Sequence, residues 1–143
     1  MILDANLLLY ATDRASAQHE VAAAWLTGVL NGDVAVGLPW QTIGAFLRIS
    51  THPRVSRQPL SADLAWAIVE SWLDAPPTWI PSVTEATAQI YGELNRRIGI
   101  TGNLVPDGQL AALALQHGVE LMSADGDFAR FPGLRWRNPL KDG

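Results

Sequence analysis

Four aspartates could take part in chemistry, because each stands at the end of a predicted strand or the start of a predicted helix. Asp4 follows a short apolar stretch, and Asp125 and Asp127 follow the apolar run 119–122 with a glycine between them. Asp107 lies at the start of a predicted helix. Each also has a purely structural interpretation, since Asp-Gly is common in turns and aspartate is a favoured helix N-cap. Their local sequences leave both interpretations open.

The chemistry of these aspartates depends on whether their side chains meet. In open α/β sheets, ligands bind beyond the carboxyl ends of the strands, and we expect the four carboxylates to lie at that edge. Two like charges about 4 Å apart repel by up to about 4 kcal/mol at an effective dielectric constant of 20. Such a cluster takes up protons or binds a cation. Oxygen ligands favour Mg²⁺ or Mn²⁺, and these ions commonly serve phosphoryl chemistry.

Other chemical signatures are absent from the sequence. It has no GxxxxGK[ST], GxGxxG, HExxH or GxSxG motif. The stretch DGDFARF does not fit a calcium-binding loop, because Arg130 holds the place of the required glycine and Trp136 that of the final glutamate. Three histidines are scattered along the chain, and we expect none of them to be catalytic: His19, His52 and His117.

Helix and strand patterns alternate along the chain, and these elements must position the acids. Apolar residues recur at helical spacing in five segments, with short apolar runs between them. This alternation predicts a three-layer α/β/α sandwich with a mainly parallel sheet, built as one domain over 1–143. Asp4 is expected to cap a turn at 4–9, and a short helix is expected at 127–131. The predicted strands cover 1–3, 34–37, 78–83, 119–123 and 134–136, and the predicted helices 18–31, 39–50, 61–73, 84–98 and 106–118.

Composition and charge limit the classes of function. Hydrophobic residues make up 48 % of the 143 residues, with six tryptophans, no cysteine and a net charge of −4. Disulfides and thiolate metal sites are excluded, and the acidic balance weakly disfavours general electrostatic binding to nucleic acid. Nine of the ten basic residues are arginine, the side chain best suited to bidentate phosphate contacts. We expect no signal peptide and no membrane-spanning run, and therefore a cytoplasmic protein.

Several motifs together resemble the PIN-domain toxins of the VapC type, which belong to type II toxin–antitoxin systems. These are the D-x-N start in MILDANLLLYA, the segment LPWQTIGAFLRISTHPRV, the D-x-x-L-A-A-L-A helix and the S-x-D-x-D-F end. The resemblance covers 1–140 in motif order and spacing. It implies an α/β/α fold, a Mg²⁺- or Mn²⁺-dependent endoribonuclease with RNA as substrate, a small cognate antitoxin as partner, and a homodimer.

The resemblance also assigns roles to residues of this sequence. Asp127 matches an auxiliary catalytic acid, and Asn6 and Ser123 match positions whose side chains hydrogen-bond to the metal ligands. In the implied mechanism, the ion and one carboxylate orient and deprotonate a water for in-line attack on an RNA phosphodiester. The implied metal ligands, which are also catalytic, are Asp4, Asp107 and Asp125.

One position departs from the family pattern in a way that bears on activity. Many relatives carry a glutamate just before the phenylalanine of the FLR-like segment, where this chain has Ala45. The remaining acids can still hold one ion, but the case for a second is weakened. An alternative therefore stays open: a catalytically weakened PIN domain that binds RNA or an antitoxin without efficient cleavage. A milder departure is Gly108 and Gln109, where relatives tend to have a DA-H pattern.

Arginines and tryptophans offer candidate binding surfaces. We expect three arginines in and after the FLR-like segment to contact the RNA backbone; a solvated loop is the alternative. Three tryptophans could meet the antitoxin or a second subunit, although core packing explains each of them as well. The arginines are Arg48, Arg54 and Arg57, and the tryptophans are Trp40, Trp66 and Trp72.

A phospho-acceptor receiver domain also gathers acids at the edge of a parallel sheet. That class needs an acceptor aspartate at the end of the third strand and a lysine late in the chain. Here the third predicted strand is TWIPSV, and the only lysine is Lys141, in the tail. We therefore discount this class.

Overall fold

Five short strands form the framework of the protein, described by a computed structural model over residues 1–141. They are β1 (Ile2–Leu3), β2 (Val36–Gly37), β3 (Thr78–Trp79), β4 (Leu121–Met122) and β5 (Trp136–Arg137). Their order in the sheet is β3-β2-β1-β4-β5, and every pairing is parallel. The strand β1 therefore lies at the centre, between β2 and β4.

Helices connect the strands on both sides of this sheet. None of the helices in residues 1–141 has the length and hydrophobicity that a membrane crossing requires. The described helices are α1 (Ala5–Thr12), α2 (His19–Leu30), α3 (Trp40–Ser50), α4 (Ala62–Leu73), α5 (Glu85–Ile98) and α6 (Leu104–His117), with a 3₁₀ helix at Gly126–Arg130.

The alternation of side chains along the central strands produces two separate cores. Successive residues of a strand point to opposite faces of the sheet. Ile2 and Leu121 belong to the core formed with α5 and α6, whereas Leu3 and Met122 belong to the core formed with α1, α2, α3 and α4. Helices therefore cover each face, and the predicted three-layer α/β/α sandwich with a parallel sheet is confirmed.

Two elements differ from the sequence-based prediction. The turn expected at 4–9 is the helix α1, in which Leu7 and Leu8 are fully buried. The run of three leucines hid this helix, because it shows no alternation between apolar and polar faces. The third strand ends at Trp79 instead of 83, since Pro81 has no N–H with which to continue the ladder.

Gly37 lies where two strands approach closely. A Cβ added there would be 3.0 Å from Cγ1 of Ile2, 3.0 Å from Cγ of Pro81 and 3.2 Å from the carbonyl oxygen of Met1. The Met1 oxygen is main chain and also accepts the N–H of Gly37 at 2.7 Å. The neighbouring backbone therefore cannot move aside without loss of strand pairing.

We predict that Gly37→Ala lowers the free energy of unfolding by about 1–3 kcal/mol, the usual cost of overpacking. Urea denaturation of the purified protein measures this change. Gly28→Ala is the matched control, because a Cβ at that exposed position in α2 meets nothing within 4 Å. The control should gain roughly 0.5–1 kcal/mol from helix propensity. Equal stability of Gly37→Ala and the wild type would contradict the prediction.

Candidate metal centre

The hydroxyl of Ser123 connects the carboxyl ends of β1 and β4. It donates to Oδ2 of Asp4 at 2.7 Å and accepts from Nδ2 of Asn6 at 3.1 Å and from the N–H of Asp125 at 3.0 Å. Asn6 also accepts the N–H of Ala124 through Oδ1 at 3.3 Å. Ser123 is fully buried, and a hydroxyl has one donor and two acceptor positions. Its hydrogen-bonding capacity is therefore completely used.

Asp4 is held at the end of β1 by partners on both carboxylate oxygens. It is the N-cap of α1, where Oδ1 accepts the N–H of Ala5 at 2.8 Å, and Oδ2 accepts from Ser123. Burial raises the pKa of Asp4, the bonds from Ser123 and Ala5 oppose that rise, and the charge of Asp125 adds to it. The capping interpretation of Asp4 is thus confirmed.

Asp107, Asp125 and Asp127 form the acid cluster. Each contributes one carboxylate oxygen to a set of three atoms that lie within 4.8 Å of one another. Asp125 is also the N-cap of the 3₁₀ helix, and its Oδ1 accepts the N–H of Asp127 at 2.9 Å. Asp4 does not belong to this set of three, and both of its oxygens already face hydrogen-bond donors.

Asp107 does not cap its helix, and the capping interpretation from the sequence was wrong. Helix α6 begins at Leu104, and Asn103 holds the N-cap position without a side-chain hydrogen bond. Pro106 suggested a later start, but proline is tolerated throughout the first turn, where its missing N–H would have no partner. Asp107 therefore lies inside the first turn, with its carboxylate free for the acid cluster.

Burial and repulsion between the acids of the cluster change the pKa of Asp107. Burial raises this pKa to about 6, and the charges of Asp125, Asp4 and Asp127 contribute to the rise. Like charges at this spacing favour a proton or a cation. Because the donors are all carboxylate oxygens, the set suits a hard divalent ion such as Mg²⁺ or Mn²⁺.

Two supporting contacts were not foreseen as part of the site. The hydroxyl of Thr42 donates to the carbonyl oxygen of Leu3 at 2.8 Å and fixes the end of β1. The indole N–H of Trp136 donates to the carbonyl oxygen of Ser123 at 3.0 Å and fixes the end of β4. The one available signal in the sequence for the first contact was the position of Thr42 among the apolar residues of the predicted helix. Nothing in the sequence pointed to the contact of Trp136.

The predicted arginines are not brought to the acid cluster. Helix α3 starts just after the carboxyl end of β2, and Arg48 stands in its last turn, about 12 Å along the axis from Trp40. Arg54 and Arg57 follow in the exposed loop beyond that end. Their role in RNA binding stays a prediction.

The three candidate tryptophans have different environments. Trp72 is buried and packs edge-on against Phe46, with ring centroids 4.8 Å apart, so it belongs to the core. Trp40 is 63 % exposed at the start of α3, and Trp66 is 39 % exposed on α4. Only the last two are accessible to a partner.

The fold and the site define a three-layer α/β/α protein with a carboxylate cluster at the edge of a parallel sheet. The PIN domain family model matches residues 1–134. Ribonuclease VapC37 of Mycobacterium tuberculosis is 39 % identical over 138 residues, 96 % of each chain. Ribonuclease VapC33 of the same species is 37 % identical over 142 residues, 99 % of each chain. This chain belongs to the PIN domain family, in its VapC group.

A solved structure supports the same fold. The VapBC2 complex of Rickettsia felis, bound to a DNA fragment from its promoter, contains a chain that matches with a TM-score of 0.70. The identity is 18 %, and the match covers 96 % of each chain. The family resemblance inferred from the motifs is confirmed by the family model and by the two relatives.

We predict that Asp107→Asn stabilises the metal-free protein at neutral pH. The folded state raises the pKa of Asp107 from 3.8 to about 6. The folding stability that depends on a protonated Asp107 is therefore fully present below pH 3.8 and is lost as the pH rises through about 6. The asparagine variant avoids this loss. Its gain at pH 7.5 should be about 1 kcal/mol, after allowance for solvent screening of a half-exposed group.

Urea unfolding in EDTA at pH 4, 5, 6 and 7.5 measures this difference. The gain should shrink toward zero at pH 4. Asp33→Asn, at an exposed position, is the control for loss of one negative charge. The assignment fails if Asp107→Asn and the wild type have parallel stability curves over this range.

Proposed function

We propose that this protein is a Mg²⁺- or Mn²⁺-dependent endoribonuclease that acts as the toxin of a toxin–antitoxin pair. The observation that carries the proposal is the acid cluster at the carboxyl edge of the sheet. The names of the full-length relatives, which are ribonucleases of the VapC group, support the reaction class.

Asp107 and Asp125 would hold the ion, with Asp127 within reach of the same position. Asp4 would bind it through water, since both of its oxygens already accept hydrogen bonds. When bound, such an ion neutralises phosphate charge and lowers the pKa of a coordinated water. Ser123 and Asn6 would keep Asp4 and Asp125 in place, as ligand-supporting side chains do in other metal sites.

One carboxylate and one water molecule take part directly in the proposed reaction. One carboxylate of the acid cluster accepts a proton from the attacking water, for which a pKa close to the working pH is an advantage. The water attacks the phosphorus of an RNA phosphodiester in line with the leaving oxygen. Because Asp107 and Asp125 would hold the ion, Asp127 is the carboxylate of the cluster left to accept this proton.

The RNA backbone would extend from the acid cluster along α3. Arg48, Arg54 and Arg57 are exposed, and the ion pair described in residues 1–141, between Arg137 and Glu120, does not involve them. Their guanidinium groups are therefore available for phosphate contacts. Such contacts weaken as salt increases.

A small cognate antitoxin and a second copy of the chain are the proposed protein partners. Trp40, Ile80 and Val83 are exposed beyond the ends of β2 and β3 and line one groove. A contiguous apolar patch of this kind is typical of an interaction site. Leu64 and Trp66 are also exposed but lie two positions apart on α4, where their side chains do not face the same side. The complexes in which the structural relatives were solved contain VapB and VapC proteins, which supports an antitoxin partner.

The alanine at position 45 suggests a second candidate function. In this alternative, the protein is a weakened PIN domain that binds RNA or an antitoxin without efficient cleavage. Gln41 donates to the carbonyl oxygen of Pro106 at 3.4 Å, so the first turn of α3 contacts the start of α6. Residue 45 lies one turn later on the same face of α3. It is half-buried and adds no carboxylate to the site.

We predict Mg²⁺-dependent cleavage of single-stranded RNA by the purified chain. Asp4→Asn and Asp125→Asn should each lower the rate about 100-fold, because each removes a charge that holds or orients the ion. Asp33→Asn should cleave like the wild type and excludes a general effect of charge. Asp4→Asn also controls for contaminating nuclease. Cleavage by Asp4→Asn at the wild-type rate would show that the site is wrongly assigned.

Ala45→Glu decides between the two candidate functions in the same assay. A wild type that binds RNA without cutting it, together with cleavage by Ala45→Glu, would establish the weakened form. Efficient cleavage by the wild type establishes the active ribonuclease.

For the RNA-binding surface, we predict that neutralising the three arginines reduces the salt dependence of binding. Each phosphate contact with single-stranded nucleic acid contributes about 0.7 to the slope of log K against log salt. The triple change Arg48→Gln, Arg54→Gln and Arg57→Gln should therefore lower the slope by about 2. Fluorescence anisotropy in EDTA from 50 to 300 mM salt measures it.

A charge-matched variant makes this test specific. Arg14, Arg96 and Arg97 are exposed elsewhere on the molecule, and their change to glutamine alters the net charge equally. The arginine surface has no role in binding if the two triple variants give the same slope.

A further inference from the structure

A pocket between three helices has no part in the cleavage step proposed above, although Val83 in its wall also belongs to the exposed apolar region that was assigned to a protein partner. It encloses about 340 Å³ between α3, α5 and α6, within the usual range for small-molecule sites. Gln41, Tyr91 and Gln109 contribute to its wall. The amide of Gln41 reaches the main chain of Pro106, directly before Asp107, at 3.4 Å. Gln109 follows Asp107 by two positions in α6, so the pocket and the acid cluster lie on different faces of the same helix.

The side chains of the pocket suit an uncharged, planar and polar-edged ligand. All the described residues of its wall are uncharged. The amides of Gln41 and Gln109 each offer donors and an acceptor, and Gln109 is exposed and makes no hydrogen bond within residues 1–141. Tyr91 adds an aromatic ring, and Val83 and Ala112 add apolar surface.

We propose that this pocket binds one nucleobase of the RNA next to the phosphate that is cut, and that Gln109 and Gln41 determine which base is accepted. The inference rests on the proposed ribonuclease function. Unpaired RNA bases are recognised by stacking on aromatic side chains and by hydrogen bonds to their edges. A glutamine amide can pair with a base edge through a donor and an acceptor together. The pocket supplies both kinds of contact.

Charge excludes the phosphate of a nucleotide from this pocket, because no basic side chain of the wall would neutralise it. The ribose is uncharged but has no aromatic face, so the base is the part that can use both Tyr91 and the amides. A second copy of the chain is a weaker occupant, because an apolar contact would leave the two amides buried without partners, which is costly.

The test compares the base preference of the wild type with that of Gln109→Ala. A randomised RNA pool is cleaved in Mg²⁺, and the cut ends are sequenced. The wild type should prefer one base at one position near the cut, and Gln109→Ala should reduce that preference about tenfold. On the preferred RNA, KM should rise more than kcat falls. Gln18→Ala is the matched control, because Gln18 is exposed and makes no side-chain cap hydrogen bond.

A second measurement does not depend on cleavage. Binding of oligo-A, oligo-C, oligo-G and oligo-U is measured in EDTA for the same three proteins, and their oligomeric state is measured by sedimentation. Selectivity among the four RNAs should be lost in Gln109→Ala alone. The pocket proposal is overturned if Gln109→Ala keeps the selectivity of the wild type, or if it only dissociates a dimer. Absence of Mg²⁺-dependent cleavage by the wild type counts against the ribonuclease function, and the binding measurement still decides the pocket.

Discussion

The hydrogen bonds of one buried hydroxyl hold together the sheet edge at which the acids meet. Ser123 Oγ joins Asp4 to Asp125, and the Ser123–Asp4 bond links residues 119 positions apart in sequence. This contact exists because β1 and β4 are neighbours in the order β3-β2-β1-β4-β5. Asn6 uses the remaining capacity of the hydroxyl. Loss of this hydroxyl would therefore remove the link between Asp4 and Asp125 without removing any apolar side chain from either core.

Helix beginnings at this edge offset part of the repulsion between the acids. Helix α1 starts directly after Asp4, the 3₁₀ helix starts after Asp125, and Asp107 lies in the first turn of α6. The N-terminus of an α-helix carries about half a positive charge, which favours nearby anions. Burial nevertheless raises the pKa of Asp4 and of Asp107. The balance therefore stays in favour of a proton or a cation at this edge.

The sequence was sufficient for the architecture and for the position of the acids along it, but not for their individual geometry. Alternating patterns predicted the parallel sheet, and the strand ends placed Asp4 and Asp125 at its carboxyl edge. Local patterns could not show that both oxygens of Asp4 face hydrogen-bond donors, because one of these donors is the distant Ser123. They also could not show that Asp127 joins the cluster, because its position depends on the 3₁₀ helix. The indole contact of Trp136 with Ser123 likewise depends on the pairing of β4 with β5.

The absence of a carboxylate at Ala45 affects the character of the whole site. A glutamate there, one turn beyond Gln41, would add a negative charge near Asp107 and raise its pKa further. With alanine, the acids of the cluster all come from α6 and the segment after β4, and α3 contributes the neutral amide of Gln41. The carboxylates of the acid cluster can bind an anionic group only through a cation, whereas the amide on α3 can contact an uncharged group directly. A nucleotide, with its phosphate and base, presents both kinds of group at once.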